Sequence, residues 1–341
     1  MSDHCSPRFA SLRNLLSRVD LGLMSETPDD KLLAEIEDLA ATLARRAGGI
    51  LGRYFSASME VRYMEVRYKD EGRTDPVTAA DTESEEYISR IVAERYPGHG
   101  VLGEEGAEDG NAVAPDFVWA IDPLDGTNNF VGGLPVFACS IGVLYRGAPV
   151  VGAVYVPWPG EAAGRVFHAR KGGGAFLNED RLEPLAAEAG DGRLVTLPGS
   201  FRGAFKMGKQ MQGKVGEVRV LGSIAYELAM VAGGVLRYSV VGKSSLWDVA
   251  AGAAIVAEVG GDVRIGRREC GRRPLSSAGI EWRPLTTLVD GWQTGTTTLG
   301  ELRRWSSPMI LGRPDVVAGL VAAVTPRRNL LRRLRHPLRR R

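Results

Sequence analysis

The run Asp122-Pro-Leu-Asp-Gly-Thr127, at the end of the apolar residues 118–121, constrains this chain more than any other segment. Pro123 fixes its own φ and Gly126 permits a sharp turn, so both Asp side chains can face one point while the Leu124 carbonyl turns inward. Two carboxylates ~4 Å apart repel by roughly 4 kcal/mol at an effective dielectric of about 20, and a bound cation best explains such a turn. Oxygen ligands without His or Cys select Mg²⁺, Mn²⁺ or Ca²⁺ over zinc. If Gly126 and Thr127 open a helix, their N–H groups also attract phosphate. A metal beside a phosphate cradle means phosphoryl chemistry. Taken alone, the same six residues also fit a surface turn capped by Asp.

Two further acidic segments lie at comparable places. Gly103-Glu104-Glu105 follows the apolar Val101-Leu102, and Trp247-Asp248 opens an Ala-rich helix. Each acid lies where a strand ends or a helix begins, the positions from which loops converge in an α/β protein. Neighbouring residues of a strand face opposite ways. Glu105 is therefore expected to support the structure, and Trp247 to pack beneath Asp248. Other chemistries lack their residues. His4, His99, His168 and His336 are scattered outside any Ser/His/Asp context. Gly242-Lys243-Ser244 resembles the end of a P-loop, but the required first Gly is Arg237. Gly172-Gly173-Gly174 reads as a turn between strands.

Around these segments the chain reads as an acidic body with a basic end. The formal net charge is +2, yet residues 326–341 hold eight Arg and no acid; without them 35 basic side chains face 41 acidic ones, a net of −6. Residues 1–29 read as a weakly ordered extension, 30–325 as the folded domain and 326–341 as an Arg-rich tail. Helical spacing marks 30–48, 81–96, 204–213, 224–232, 245–259 and 316–324. Strands are expected at 118–121, 138–145, 150–156, 165–169, 194–197 and 218–221. Residues 280–308, rich in Thr, Gly and Trp, show no clear period. No apolar run reaches the ~18–20 residues of a membrane span, and the N-terminus lacks the apolar core of a secretory signal. Cys5, Cys139 and Cys270 form no C-x-x-C, so the expected compartment is a reducing cytosol.

Gly103-Glu104-Glu105, Trp119-Ala-Ile-Asp-Pro-Leu-Asp-Gly-Thr-Asn-Asn-Phe130, Leu246-Trp-Asp-Val-Ala-Ala-Gly252 and Glu258-Val-Gly-Gly261 together resemble the signature segments of the inositol monophosphatase family. Asp75-Pro-Val-Thr-Ala-Ala-Asp81 and Lys171-Gly-Gly-Gly-Ala-Phe176 add to the resemblance, which spans about residues 30–325. It implies an α/β (α+β) fold, a layered αβαβα sandwich, and hydrolysis of a small sugar or polyol phosphate with two or three Mg²⁺. On that resemblance Glu104, Asp122 and the Leu124 carbonyl hold one metal, and Asp122, Asp125 and Asp248 a second. Glu104 and Thr127 position the attacking water, Asp81 orients the Thr127 hydroxyl, and Gly126 and Thr127 take the phosphate beside Asp125. A homodimer and lithium sensitivity are also implied.

The substrate side departs from the inositol-preferring pattern. The acid that contacts ring hydroxyls in those relatives is replaced here by Val241, and Ile224 is bulkier than the usual small residue. Lys243 is a candidate for attracting a second anionic group, as in a bisphosphate. Fructose bisphosphate, histidinol phosphate and phosphoadenosine phosphate remain alternative substrates. A different class of function would use the tail, where Leu330, Leu331, Leu334 and Leu338 interleave with Arg, to bind nucleic acid or an anionic membrane.

Overall fold

The computed structural model describes residues 28–60, 66–68, 76–106, 112–185, 193–268 and 280–327. Of the expected extension (1–29) and tail (326–341), residues 1–27 and 328–341 lie outside the described residues. Apolar residues at helical spacing build helix α1 (Asp30–Glu60), which runs past the expected end at 48. The Gly48-Gly49 pair does not stop it. A Cβ on Gly48 would lie 2.2 Å from the Tyr155 ring, so this glycine serves close packing rather than termination. Strands β1 (Val66–Tyr68) and β2 (Pro76–Thr78) form a short antiparallel pair. Helix α2 (Ala79–Arg95) follows, with Thr78 as N-cap and Asp81 completing a capping box.

A seven-stranded sheet comes next, its strands adjacent in chain order: β3 (Gly100–Gly103), β4 (Phe117–Asp125), β5 (Ala138–Tyr145), β6 (Ala148–Trp158), β7 (Glu161–Arg170), β8 (Gly174–Leu177) and β9 (Asp180–Arg181). Only β3 and β4 run parallel; the rest is a meander of hairpins. Helix α3 (Thr127–Val131) is a short turn after β4. Ile36 and Leu43 of α1 and Ile88 of α2 pack with Ile141, Val151 and Tyr155, covering one face of this sheet.

The chain then forms β10 (Leu194–Thr196), the turn α4 (Phe201–Ala204), β11 (Phe205–Met207) and β12 (Glu217–Arg219). The helix expected over 204–213 is reduced to a single 3-10 turn at Lys209–Met211. Gly203, Gly208 and Gly213 interrupt it, and β11 instead pairs antiparallel with β17 (Val324–Pro326). Helix α5 (Ile224–Ala232), β13 (Tyr238–Val241), helix α6 (Leu246–Glu258), β14 (Asp262–Arg268), β15 (Ile280–Pro284), the turn α7 (Leu299–Arg303), β16 (Met309–Gly312) and helix α8 (Pro314–Ala323) complete the body. The second sheet has the order β12-β10-β13-β16-β14-β15.

Alternation along the second sheet separates two cores. Val241, Val263 and Leu311 pack inward with Leu228 of α5 and Ile255 of α6. Val240 and Ile310 point the other way, onto Val317 and Leu320 of α8. The layers therefore run α1/α2, first sheet, α5/α6, second sheet, α8, the αβαβα sandwich expected. Helix α6 lies close on the first sheet because two glycines face it. A Cβ on Gly142 would be 2.5 Å from Ala250 Cβ, and one on Gly152 would be 2.3 Å from the Ala251 carbonyl oxygen.

Candidate active site

The strand expected to end at Ile121 continues through Asp125, with a bulge between its two aspartates. Asp122 pairs with Ser140 and Asp125 with Ala138, so three steps along β4 match two along β5. Residues three apart on an unbroken strand point to opposite faces. The bulge brings both carboxylates to one cavity, and the Leu124 N–H donates to Asp122 Oδ1 at 3.0 Å. Parallel pairing with β3 sets Glu104 beside them, its N–H donating to the Ile121 carbonyl at 3.0 Å. From the middle layer comes Asp248, the third residue of α6, whose Oδ2 accepts from the Ser245 N–H at 2.8 Å in a capping box.

These segments enclose a cavity of about 180 Å³ lined by Glu104, Asp122, Leu124, Asp125, Gly126, Thr127, Asn128, Gly222 and Asp248. Seven of the nine candidate site residues named from sequence line it. Asp81 stands directly behind: its Oδ1 lies 3.4 Å from Thr127 Oγ1, which itself donates to the Leu124 carbonyl at 3.0 Å. Lys243 is exposed and does not line the cavity. Glu105 is likewise outside it, and its N–H donates to Glu85 Oε2 at 2.8 Å. Trp247 is buried, as packing required. Gly126 caps α3 with φ of 93°, a left-handed conformation that favours glycine. A Cβ there would also come within 2.9 Å of Ser223 Cβ.

Four contributors escaped sequence reasoning. Ser223 Oγ donates to Asp125 Oδ2 at 2.8 Å, and the Ala225 N–H donates to the same oxygen. Glu85 holds the Glu105 N–H, and Arg303 holds the Gly103 and Glu104 carbonyls. Only Ser223 carried a sequence signal, as a helix N-cap of α5.

Electrostatics follows from crowding acids in a dry place. Burial raises Asp122 well above the usual carboxylate range, and the charges of Glu104, Asp125 and Asp248 push the same way. Burial and Asp248 likewise raise Asp125, against the hydrogen bonds from Ser223 and Ala225. Asp81 is pushed up to about 7, chiefly by burial, with Thr78 opposing. No Lys, Arg or His lines this cavity among the described residues. An all-oxygen donor set of four acids and a carbonyl, lacking a compensating cation, fits a hard divalent ion. Among the described residues no group of three or more Asp, Glu, His or Cys is already spaced to hold an ion. A larger hollow, 780 Å³, lies elsewhere, between Leu197, Phe201, Met207 and Val218, and no acid lines it.

A layered αβαβα sandwich with an acid-ringed cavity at the bulge of its first sheet is the architecture of a phosphatase. A sequence model of the inositol monophosphatase family matches residues 32–287, and the chain belongs to that family. A fructose-1,6-bisphosphatase/inositol-1-monophosphatase of Aquifex aeolicus is 32% identical over 228 residues, covering 65% of this chain and 82% of the relative. A Nus factor SuhB of Pseudomonas aeruginosa is 34% identical over 235 residues, covering 66% and 83%. Among solved structures, the extragenic suppressor protein suhB of Bartonella henselae superposes with a TM-score of 0.60 at 26% identity, covering 84% of this chain and 97% of its own. No described helix is long and apolar enough to cross a membrane.

Proposed function

We propose that the protein is a Mg²⁺-dependent phosphomonoesterase acting on a small sugar or polyol phosphate. The observation that carries this reading is the convergence of Glu104, Asp122, Asp125 and Asp248 on one cavity beside Gly126 and Thr127. Glu104, Asp122, the Leu124 carbonyl, Asp125 and Asp248 would hold two or three Mg²⁺. When bound, Mg²⁺ supplies Lewis-acid activation of water and neutralises charge on the transferring phosphoryl group. Thr127, its hydroxyl oriented by Asp81 and the Leu124 carbonyl, would accept a hydrogen bond from the attacking water and position it with Glu104. The α3 turn at Gly126 and Thr127 receives the phosphate. Positioning of this kind is what phosphoryl transfer chiefly needs.

Val241 is buried in the core between the sheets, so its position offers no polar contact to an inositol ring. Relatives named as fructose-1,6-bisphosphatase/inositol-1-monophosphatase keep a sugar bisphosphate among the candidates. Lys243, exposed three residues before the first turn of α6, would supply the charge for a second phosphate. Homodimerisation, lithium inhibition and a cytoplasmic location belong to the same proposal. Phosphate release from a panel of monoesters and bisphosphates with Mg²⁺ tests it. Full turnover in EDTA would refute the metal dependence.

Relatives named Nus factor SuhB favour a second reading, a regulatory protein that uses the Arg-rich end on nucleic acid. Arg327 belongs to the folded body, its Nε donating to the Phe205 carbonyl at 3.1 Å. Deletion should therefore begin at residue 328. Unchanged RNA and liposome retention after that deletion would remove a binding role for the tail.

A further inference from the structure

The segment that follows residue 287, beyond the family match, reaches the candidate site from outside. Its course is set by backbone pairing. The Ala114 N–H donates to the Thr297 carbonyl at 2.7 Å, and the Leu299 N–H donates to the Ala112 carbonyl at 2.9 Å. Thr294 Oγ1 donates to Asp116 Oδ1 at 2.8 Å. Thr298 then caps the turn α7 in a box with Glu301, and this turn delivers Arg303.

Arg303 bridges two acid-bearing segments. Its Nη2 donates to the Gly103 carbonyl at 2.7 Å and its Nη1 to the Glu104 carbonyl at 3.3 Å. The same guanidinium lies over the Trp247 ring, with Cζ 5.4 Å from the centroid. Trp247 precedes Asp248, and its carbonyl accepts from Ser140 Oγ at 2.9 Å, which ties it to β5 beside the bulge. At the same 103–106 turn, Glu85 accepts from the Glu105 N–H at 2.8 Å. A Cβ on Gly106 would lie 3.2 Å from Glu85 Oε1 and 3.5 Å from Arg303 Nη2, so an acid and a base both pack close on this turn.

We propose that Arg303 is a positioning residue, which by holding the Gly103 and Glu104 carbonyls against the Trp247 ring sets the Glu104 carboxylate relative to Asp248 for Mg²⁺ binding. A planar fork makes two carbonyl bonds and a ring stack at once; a lysine ammonium cannot reproduce all three. The inference rests on the metal-dependent reading proposed above. It also gives the segment after residue 287 a role in the site.

Full-length Arg303→Met and Arg303→Lys proteins test it by direct Mg²⁺ binding in calorimetry, alongside thermal midpoints and phosphate release. Arg303→Met should weaken Mg²⁺ binding about 10-fold, as loss of groups that orient metal ligands does. Arg303→Lys should fall between it and the parent, and saturating Mg²⁺ should restore much of the turnover. A folded Arg303→Met protein with parental Mg²⁺ affinity overturns the proposal, even if its thermal midpoint drops. If Arg303→Met does not fold, Arg303→Lys decides: parental Mg²⁺ affinity overturns the proposal and a several-fold loss supports it. A parent protein that neither binds Mg²⁺ nor releases phosphate overturns the functional reading and this one with it. A parent that does both, beside an unaffected Arg303→Met, overturns this one alone.

Discussion

Asp125 shows how one carboxylate is made ready for a cation. Two donors, Ser223 Oγ and the Ala225 N–H, occupy its Oδ2, which leaves the orientation of Oδ1 set by the bulge. Removing the hydroxyl in Ser223→Ala is expected to cost about 10-fold in activity or metal affinity, the usual effect of losing a group that orients a ligand. Steady-state rates across a Mg²⁺ titration check this, with the defect shrinking at high Mg²⁺. Asp122→Asn should lose about 100-fold or more, because the amide replaces a charge where buried acids face one another. Full activity of Asp122→Asn would contradict its assignment as a ligand. The acids were legible from sequence because few residue types bind hard cations and each stood at an element boundary. Their supports were not. Ser223 lies 98 residues from Asp125 and Arg303 lies 200 from Gly103, so only the tertiary fold shows those contacts.

At the scale of elements, the site depends on how closely α6 lies on the first sheet. Gly142 and Gly152 remove the side chains that would hold it off. In Gly152→Ala the new methyl meets the Ala251 carbonyl, and overpacking of this sort costs about 1–3 kcal/mol. Urea unfolding should show that loss in the midpoint with an unchanged slope. Activity should fall further than stability alone explains, because displacing α6 moves Asp248. The same element explains what sequence reading could reach. The Ala- and Gly-rich helix at 246–258 was evident from composition and period. Residues 205–207 were not recognised as a strand, because their partner, residues 324–326, lies far along the chain. Residues 280–308 gave no period for a similar reason: they pair with 262–268 and 112–114, and α7 is a single capped turn.

For the whole molecule, the buried ionisable groups set a pH dependence with a definite sign. Glu227 lies in the middle layer, accepts from the Leu221 N–H at 3.2 Å and from Ser239 Oγ at 3.3 Å, and is pushed up to about 7 chiefly by burial. A carboxyl raised on folding stabilises most below its unfolded value of about 4.3, and that contribution is lost as pH rises through about 7. For Glu227 alone the loss is on the order of 3 kcal/mol. Asp81 and Glu85, also raised to about 7 by burial, act in the same direction. His168 adds to it. Its Nδ1 faces Glu37 Oε1 at 2.7 Å and its Nε2 faces the Asn178 carbonyl at 2.8 Å, so the imidazolium satisfies both acceptors. Burial lowers its pKa, but the hydrogen bonds to Glu37 and Asn178 outweigh that and raise it, so its contribution is lost as pH rises past the ordinary imidazole range. Asp116 and Asp315, held low by Arg146 and Arg313, have the opposite sign, but their contribution is lost only as pH falls through the acid range. Between about pH 5 and 8 the first set governs, and the metal-free protein should become less stable as pH rises. Glu227→Gln should flatten part of that slope in urea midpoints measured at pH 5 and pH 8 in EDTA. Mg²⁺, which favours the ionised acids of the site, should raise the pH 8 midpoint more than the pH 5 one. A metal-free protein that gains stability from pH 5 to 8 would show that other groups outweigh the buried acids.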